Sequence, residues 1–355
     1  MVIYFFLFTL NIIACLVGYN NNKLDKASSL CIIILMWALC SLRSTNCGTD
    51  TINYYRIFFF NPEASDMRLE PLFLLIRNSF SNFQLFLTFF AIITYGITYY
   101  ICAKEVRYTA LAILIFMISP TKFFPESFNI IRQSAAAAFI LWGFVQWNKH
   151  KIKYTLLLFS IAVTLHYSSI IAFLFLIVTR NQIKFKIALI GVLTTLVLGI
   201  SGITTLTIQK FVIALGEANI HPIITVYARY GLRINNTMHF SSLVLWLVPL
   251  SLFAITCYPK SQSAHNKYQY FYNVFLIGVI LGNLFIPPMD SGIRFVFSIM
   301  VTQLIVVPAA LKYSGRKQKK LIVLSIMICA MSYLFYIYHL QYFPETSIVP
   351  YQSIL

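Results

Sequence analysis

An all-α, polytopic helical membrane protein of about 10–12 transmembrane helices is the fold class this sequence predicts. Three observations carry that expectation. Hydrophobic residues make up 59% of the chain and charged residues only 10%, with a mean hydropathy of +0.78. Apolar runs of span length recur from end to end. The two kinds of basic residue also part company. Under the topology argued below, short inner-face loops hold 14 of the 16 Lys but only 3 of the 11 Arg. The other 8 Arg share the outer face with 8 of the 10 acidic residues. Lysine on the inner face is the ordinary topology signal. Arginine on the outer face runs against it and asks for another reason. The guanidinium fork is suited to two-point contact with phosphate or pyrophosphate.

The candidate spans are 2-19, 27-42, 82-101, 108-124, 127-147, 187-208, 241-258, 269-286, 293-311 and 321-338. The N-terminus lacks the basic region of a signal peptide, so it reads as the first span. Basic loops at Lys23/Lys26, Lys104/Arg107 and Lys149/Lys151/Lys153 place the N-terminus outside. The stretch 154-179 decides the second half. A single crossing would carry the basic loops 259-268 and 312-320 to the outer face. A hairpin turning at His166-Tyr167-Ser168-Ser169 keeps every basic loop inside. Each arm then spans about 25 Å at 1.5 Å per residue. The whole chain, 1-355, reads as one integral membrane domain. Its outer-face loops 43-81 and 209-240 are too long for plain connectors.

The net charge of +17 resides in topology-setting loops, so it argues for no nucleic acid. The seven Cys form no CxxC pair and read as small hydrophobes. No Walker loop is present, and no His/Cys/carboxylate cluster has metal spacing, so neither cofactor nor metal is expected.

Five outer-face constellations remain. In 43-56, Gly48-Thr49-Asp50 reads as a turn, with Asp50 capping a helix from Thr51. Arg43, Asp50 and Tyr54 then form either a carbohydrate site with Asp50 as base or a capped loop with a surface ion pair. Glu70, before Pro71, either contacts substrate or merely starts an interfacial helix. In 125-136, Ser127 is the expected N-cap of a helix entering from outside. Asn129, Arg132 and Gln133 occupy its first two turns, where free N–H groups, the dipole and an Arg make an anion site. The competing reading is an Arg132 that snorkels to the interface. His166 at the hairpin tip either moves a proton or makes a structural hydrogen bond. Arg229 and Arg233 share a helix face at i, i+4 among tyrosines, and Arg294 opens an apolar helix. Each of these is either a phosphate ligand or an interfacial anchor.

The succession Arg43-(x4)-Gly48-Thr49-Asp50-(x3)-Tyr54, Glu70-Pro71-Leu72-Phe73, Asn129-Ile130-Ile131-Arg132-Gln133, Leu165-His166-Tyr167-Ser168 and Arg294-Phe295 resembles the EpsG/Wzy-type membrane polysaccharide polymerases of bacteria. The likeness covers most of the chain in order; each motif alone is short. Ser169 stands where the family commonly has a small residue, and 209-240 matches little. The resemblance implies a metal-independent glycosyltransferase of the bacterial inner membrane with its site facing the exterior. It would polymerise undecaprenyl-pyrophosphate-linked repeat units into O-antigen, capsule or exopolysaccharide. The partners implied are the lipid-linked donor and acceptor, the lipid bilayer and a chain-length regulator. Arg132, Arg229, Arg233 and Arg294 would face pyrophosphate or acceptor phosphate, and His166 or Asp50 would be the base. A lipid-linked glycan flippase, an O-antigen ligase and a membrane acyltransferase remain as alternatives.

Overall fold

The computed structural model describes residues 2–60, 69–119, 121, 123–178, 180–204, 206, 207, 210, 214, 247–259, 262–285, 292–313 and 351–354, with the backbone alone at 262–267 and 292–295. The described residues are helical, with a single isolated β-bridge between Arg43 and Ser353. Three helical stretches are long and apolar enough to cross a membrane on their own: Asn22–Ser41, Phe83–Glu105 and Tyr268–Phe285. A fourth is formed if the bent pair Thr109–Ile118 and Phe123–Asn129 counts as one span. Shorter apolar helices pack around them. The protein is an all-α membrane protein.

Helix α1 (Val2–Gly18) packs along α2 (Asn22–Ser41). The second span starts at Asn22 rather than at 27, because the Asn21 side chain accepts the Lys23 and Leu24 N–H groups at 3.0 and 3.2 Å. Two short helices follow, α3 (Thr51–Phe60) and α4 (Pro71–Asn78). Helix α5 (Phe83–Ala91) continues through a π-turn at Ile92–Gly96 into α6 (Ile97–Glu105). Helix α7 (Thr109–Ile118) is apolar on every side and buried at every position, as an all-round hydrophobic helix must be. Its first N–H groups, of Thr109 and Ala110, donate to the buried Asp25 carboxylate at 2.7 and 3.1 Å. That places an anion from another segment at the positive end of the dipole.

Helix α8 (Phe123–Asn129) leads into α9 (Ile131–Asn148). Ala135–Ala138 are buried, so the backbone of α9 meets its neighbours closely. At Gly143 a Cβ would run into the Phe159 ring of α10 (Ile152–Leu165). The chain then turns at His166 and returns through a 3-10 turn (Tyr167–Ile170), the short α11 (Ile171–Leu174) and a second 3-10 turn. Arg180 ends back beside the start of the hairpin, donating to the Trp147 carbonyl at 2.8 Å and lying 3.3 Å from His150 Nδ1. Segment 154-179 therefore goes in and comes back. The remaining helices are α12 (Phe185–Ile200), α13 (Val248–Thr256), α14 (Gln262–Phe285), α15 (Gly292–Met300) and α16 (Gln303–Lys312).

The loops sort into two ends of the bundle. At one end Arg107 meets the Tyr19 carbonyl and Asn22, and Lys149 pairs with Glu105. There too Gln182 meets Tyr258 and Pro259, and Tyr268 stacks near Tyr313. These are the Lys-rich loops. At the other end residues 42–54, 69–71, 127–132, 166–167 and 351–354 touch one another through the bonds described next. The C-terminal Ile354 N–H donates to the Leu42 carbonyl at 3.0 Å, and Ser44 N–H to Gln352 O at 2.8 Å.

Candidate active site

The Gly48-Thr49-Asp50 turn is built against α8. Gly48 has φ +92°, a left-handed conformation that glycine adopts without strain. A Cβ there would also stand 3.0 Å from Asn129 Oδ1. That oxygen accepts the Thr49 N–H at 2.8 Å and the Thr49 hydroxyl at 3.2 Å. Asn129 is thus occupied in holding the turn. Helix α3 begins at Thr51, and the Asp50 carbonyl accepts the Tyr54 N–H at 3.0 Å. The Asp50 side chain is half-buried and meets the Asn53 amide at 3.5 Å.

Arg43 is turned inward. It is 1% exposed. Its guanidinium donates to the Phe128 carbonyl at 3.1 Å, to Thr51 Oγ1 at 3.2 Å and to the Cys40 carbonyl, and it lies over the Phe128 ring. Every nitrogen of the fork serves the protein, because a buried guanidinium must satisfy its donors internally. Gln133 is likewise fully buried rather than open to substrate.

The helix entering from this end starts later than expected, which corrects the Ser127 cap. Ser127 lies inside α8, where its hydroxyl donates to the Phe124 carbonyl at 2.6 Å and pairs with Tyr95 Oη at 2.6 Å. The helix breaks at Ile130 (φ −107°, ψ 60°), and α9 begins at Ile131. Arg132 is therefore the second residue of α9, in the turn whose N–H groups lack helical partners.

Glu70 joins the site together. It precedes Pro71, whose fixed φ suits the first position of α4. One carboxylate oxygen pairs with Arg132 Nη1. The other lies 2.9 Å from His166 Nδ1 and accepts the Tyr167 N–H at 3.2 Å. His166 is presented by its extended backbone (φ −157°, ψ 115°), which ends α10 and aims the ring at Glu70. The Glu70 side chain is 4% exposed, whereas those of Arg132 and His166 are 20% and 18% exposed. The Arg132 and His166 side chains are partly open and the carboxylate is covered. Burial pushes the Glu70 carboxyl up, but the His166 hydrogen bond and the Arg132 charge outweigh it and hold the group below the ordinary carboxylate range. The guanidinium lies over the Phe73 ring at 4.9 Å and near the Tyr54 ring at 5.9 Å. Tyr54 is buried and hydrogen-bonds to Arg132, so it packs the guanidinium in place.

Of the two readings of Glu70, the start of a short helix is what its position before Pro71 shows, and Arg132 and His166 cover its carboxylate. Its only local signal is an acid directly before proline and the apolar run that follows. Asp50 lies near Tyr54 rather than on the Glu70 carboxylate. Arg229 and Arg233 fall outside the described residues. Arg294 is the third residue of α15, a helix that packs against α9 and the turn after His166; its side chain is not described. Among the described residues no group of three His, Cys, Asp or Glu is placed to hold a metal.

A polytopic helical bundle with an Arg–Glu–His cluster at the end opposite its Lys-rich loops is the class defined by this fold and site. The family model that matches is that of the EpsG family, over residues 26–353, and the chain belongs to that family. No curated protein and no solved structure matches it.

Proposed function

We propose that this protein is a membrane glycosyltransferase that polymerises undecaprenyl-pyrophosphate-linked oligosaccharide repeat units on the outer face of the bacterial inner membrane, in the assembly of O-antigen, capsule or exopolysaccharide. Membership of the EpsG family supports a polysaccharide polymerase. The observation that carries the chemistry is the pairing of a partly open Arg132 and a partly open His166 through one covered carboxylate.

In this reaction the hydroxyl oxygen of the acceptor sugar attacks the anomeric carbon of the donor glycan. The bond from that carbon to the lipid pyrophosphate breaks, and its electron pair leaves on the pyrophosphate oxygen. A cation fixed in place beforehand stabilises the charge that develops there. Arg132 supplies it, at the second position of α9, where the positive end of the helix dipole adds to its charge. Arg229, Arg233 and Arg294 are assigned to pyrophosphate or acceptor phosphate by residue type. The acceptor proton goes to His166 Nε2, while Nδ1 faces Glu70. Asp50, near Tyr54, is the second choice of base. A chain-length regulator is the protein partner such a polymerase calls for.

Surface polysaccharide from a host lacking the chain tests this reading. The long ladder should collapse to carrier plus a single repeat unit, because units are still made, flipped and attached. Loss of the single-unit band as well would point to flipping, ligation or an earlier transfer and overturn the polymerase. Arg132→Ala should give the same collapse at normal membrane level; near-normal chain length would remove Arg132 from the site.

A further inference from the structure

We infer that Glu70 is a positioning residue that couples the two reacting ends of the site, holding His166 and Arg132 through opposite oxygens so that a proton arriving on His166 loosens the hold on Arg132. The inference rests on the transfer reaction proposed above and assigns a task to the one group in the cluster that substrate does not reach. Glu70 is 3% exposed, and both of its oxygens are taken: one by Arg132, the other by His166 Nδ1 at 2.9 Å and the Tyr167 N–H at 3.2 Å. The guanidinium comes from α9, the imidazole from the hairpin tip and the carboxylate from the loop before α4. Three separate segments therefore converge on a single charge.

The charge balance follows step by step. Before reaction the cluster holds one guanidinium cation, one carboxylate and a neutral imidazole. As the acceptor oxygen bonds to the anomeric carbon, its proton moves to His166 Nε2 and the imidazole becomes a cation. The bond from Nδ1–H to Glu70 then changes from a neutral-donor bond to a charge-assisted one, roughly twice as strong. The carboxylate stays ionised throughout, and no proton passes to it. Its charge is now shared with a second cation, so Arg132 is held less tightly. At the same moment the departing pyrophosphate gains one negative charge. The guanidinium becomes more available when the leaving group needs it. The aromatic bed of Tyr54 and Phe73 keeps it from swinging away.

The test uses the full-length protein in detergent, with polyprenyl-pyrophosphate-linked repeat units extracted from a host lacking the polymerase. In Glu70→Gln the amide oxygen can serve only one of the two cations and carries no charge. Its kcat should fall about 100-fold or more, while KM stays within about twofold. Because the coupling needs both Glu70 and His166, the loss in the double variant Glu70→Gln/His166→Asn should be smaller than the product of the two single losses. A raised KM with unchanged kcat in Glu70→Gln would make Glu70 a substrate contact and overturn the inference, as would losses that multiply in the double variant. If Glu70→Gln does not reach the membrane, Glu70→Asp decides. A carboxylate drawn back by one methylene reaches one partner at most, so kcat should drop at unchanged KM, and wild-type kcat would overturn the coupling. Arg132→Ala and His166→Asn separate the two levels. If both stay active, the transfer reading itself fails; if both are dead while Glu70→Gln is active, only the coupling fails.

Discussion

Arg43 and Arg132 are the same residue type, each at an end of a membrane helix, yet their surroundings give them opposite tasks. Arg43 has all three nitrogens engaged by backbone and Thr51, so Arg43→Ala strands two buried carbonyls. Each unsatisfied buried group costs about 1–3 kcal/mol, and the variant should show reduced membrane yield and a lowered melting temperature. Arg43→Lys should recover little, because an ammonium cannot serve the same fork of acceptors. An inactive but normally stable Arg43→Ala would instead return this residue to the substrate. Glu70 gives a pH prediction. Its folded pKa lies below its ordinary value of 4.5. The unfolded chain therefore takes up the proton first, and the stability contributed by the ionised Glu70 is fully present above that value. It is lost as pH falls through the lower folded value. Melting temperature followed from pH 6 downward (a range set about the ordinary carboxylate value) should fall less steeply in Glu70→Gln than in the parent. Equal slopes would mean that Glu70 is not the titrating group.

At the scale of elements, close approach and turn conformation decide what each segment can present. Gly48→Ala meets both a left-handed φ and the Asn129 carboxamide at 3.0 Å. Such strain costs about 1–3 kcal/mol, and the loop should become more susceptible to proteolysis while the rest of the bundle melts as before. Gly143 lets α9 and α10 touch, and α10 carries His166 to its tip. A branched side chain there forces the helices apart and moves His166 from Glu70. Gly143→Val should therefore cost polymerisation more than it costs expression, read by chain length at matched protein level. Tyr95→Phe removes the partner of Ser127 inside the packed break before α9. The loss should be about 1 kcal/mol, with activity retained. The apolar runs of 2-19 and 82-101 told where helices form. They did not reveal the break at Ile130, because the Ser127 cap signal was overridden by a hydroxyl bonded to Tyr95, 32 residues away in the chain.

For the whole molecule, the sorting of loops between two ends makes a topology prediction. In a background without other reactive thiols, cysteines at Asn46 and Gln352 should react with an impermeant reagent from outside intact cells. These two side chains lie 3.3 Å apart. A cysteine at His150 should react only after the membrane is opened. Labelling of both sets from one side would break the hairpin at His166 and with it the assignment of ends.

The sequence by itself determined the class of molecule, an all-α membrane protein, and where many of its described helices form. These are local or compositional properties: a span must be apolar over its whole length. His166 and Arg132 were legible for the same reason, as polar groups next to apolar runs. Only the tertiary structure decided that Glu70 joins them, across 62 and 96 residues of chain. It alone decided that Arg43 turns inward while Arg132 stays open. An arginine at the end of a span carries no local mark of which way it faces. That choice belongs to the carbonyls and carboxylates that the packing of distant segments brings within its reach.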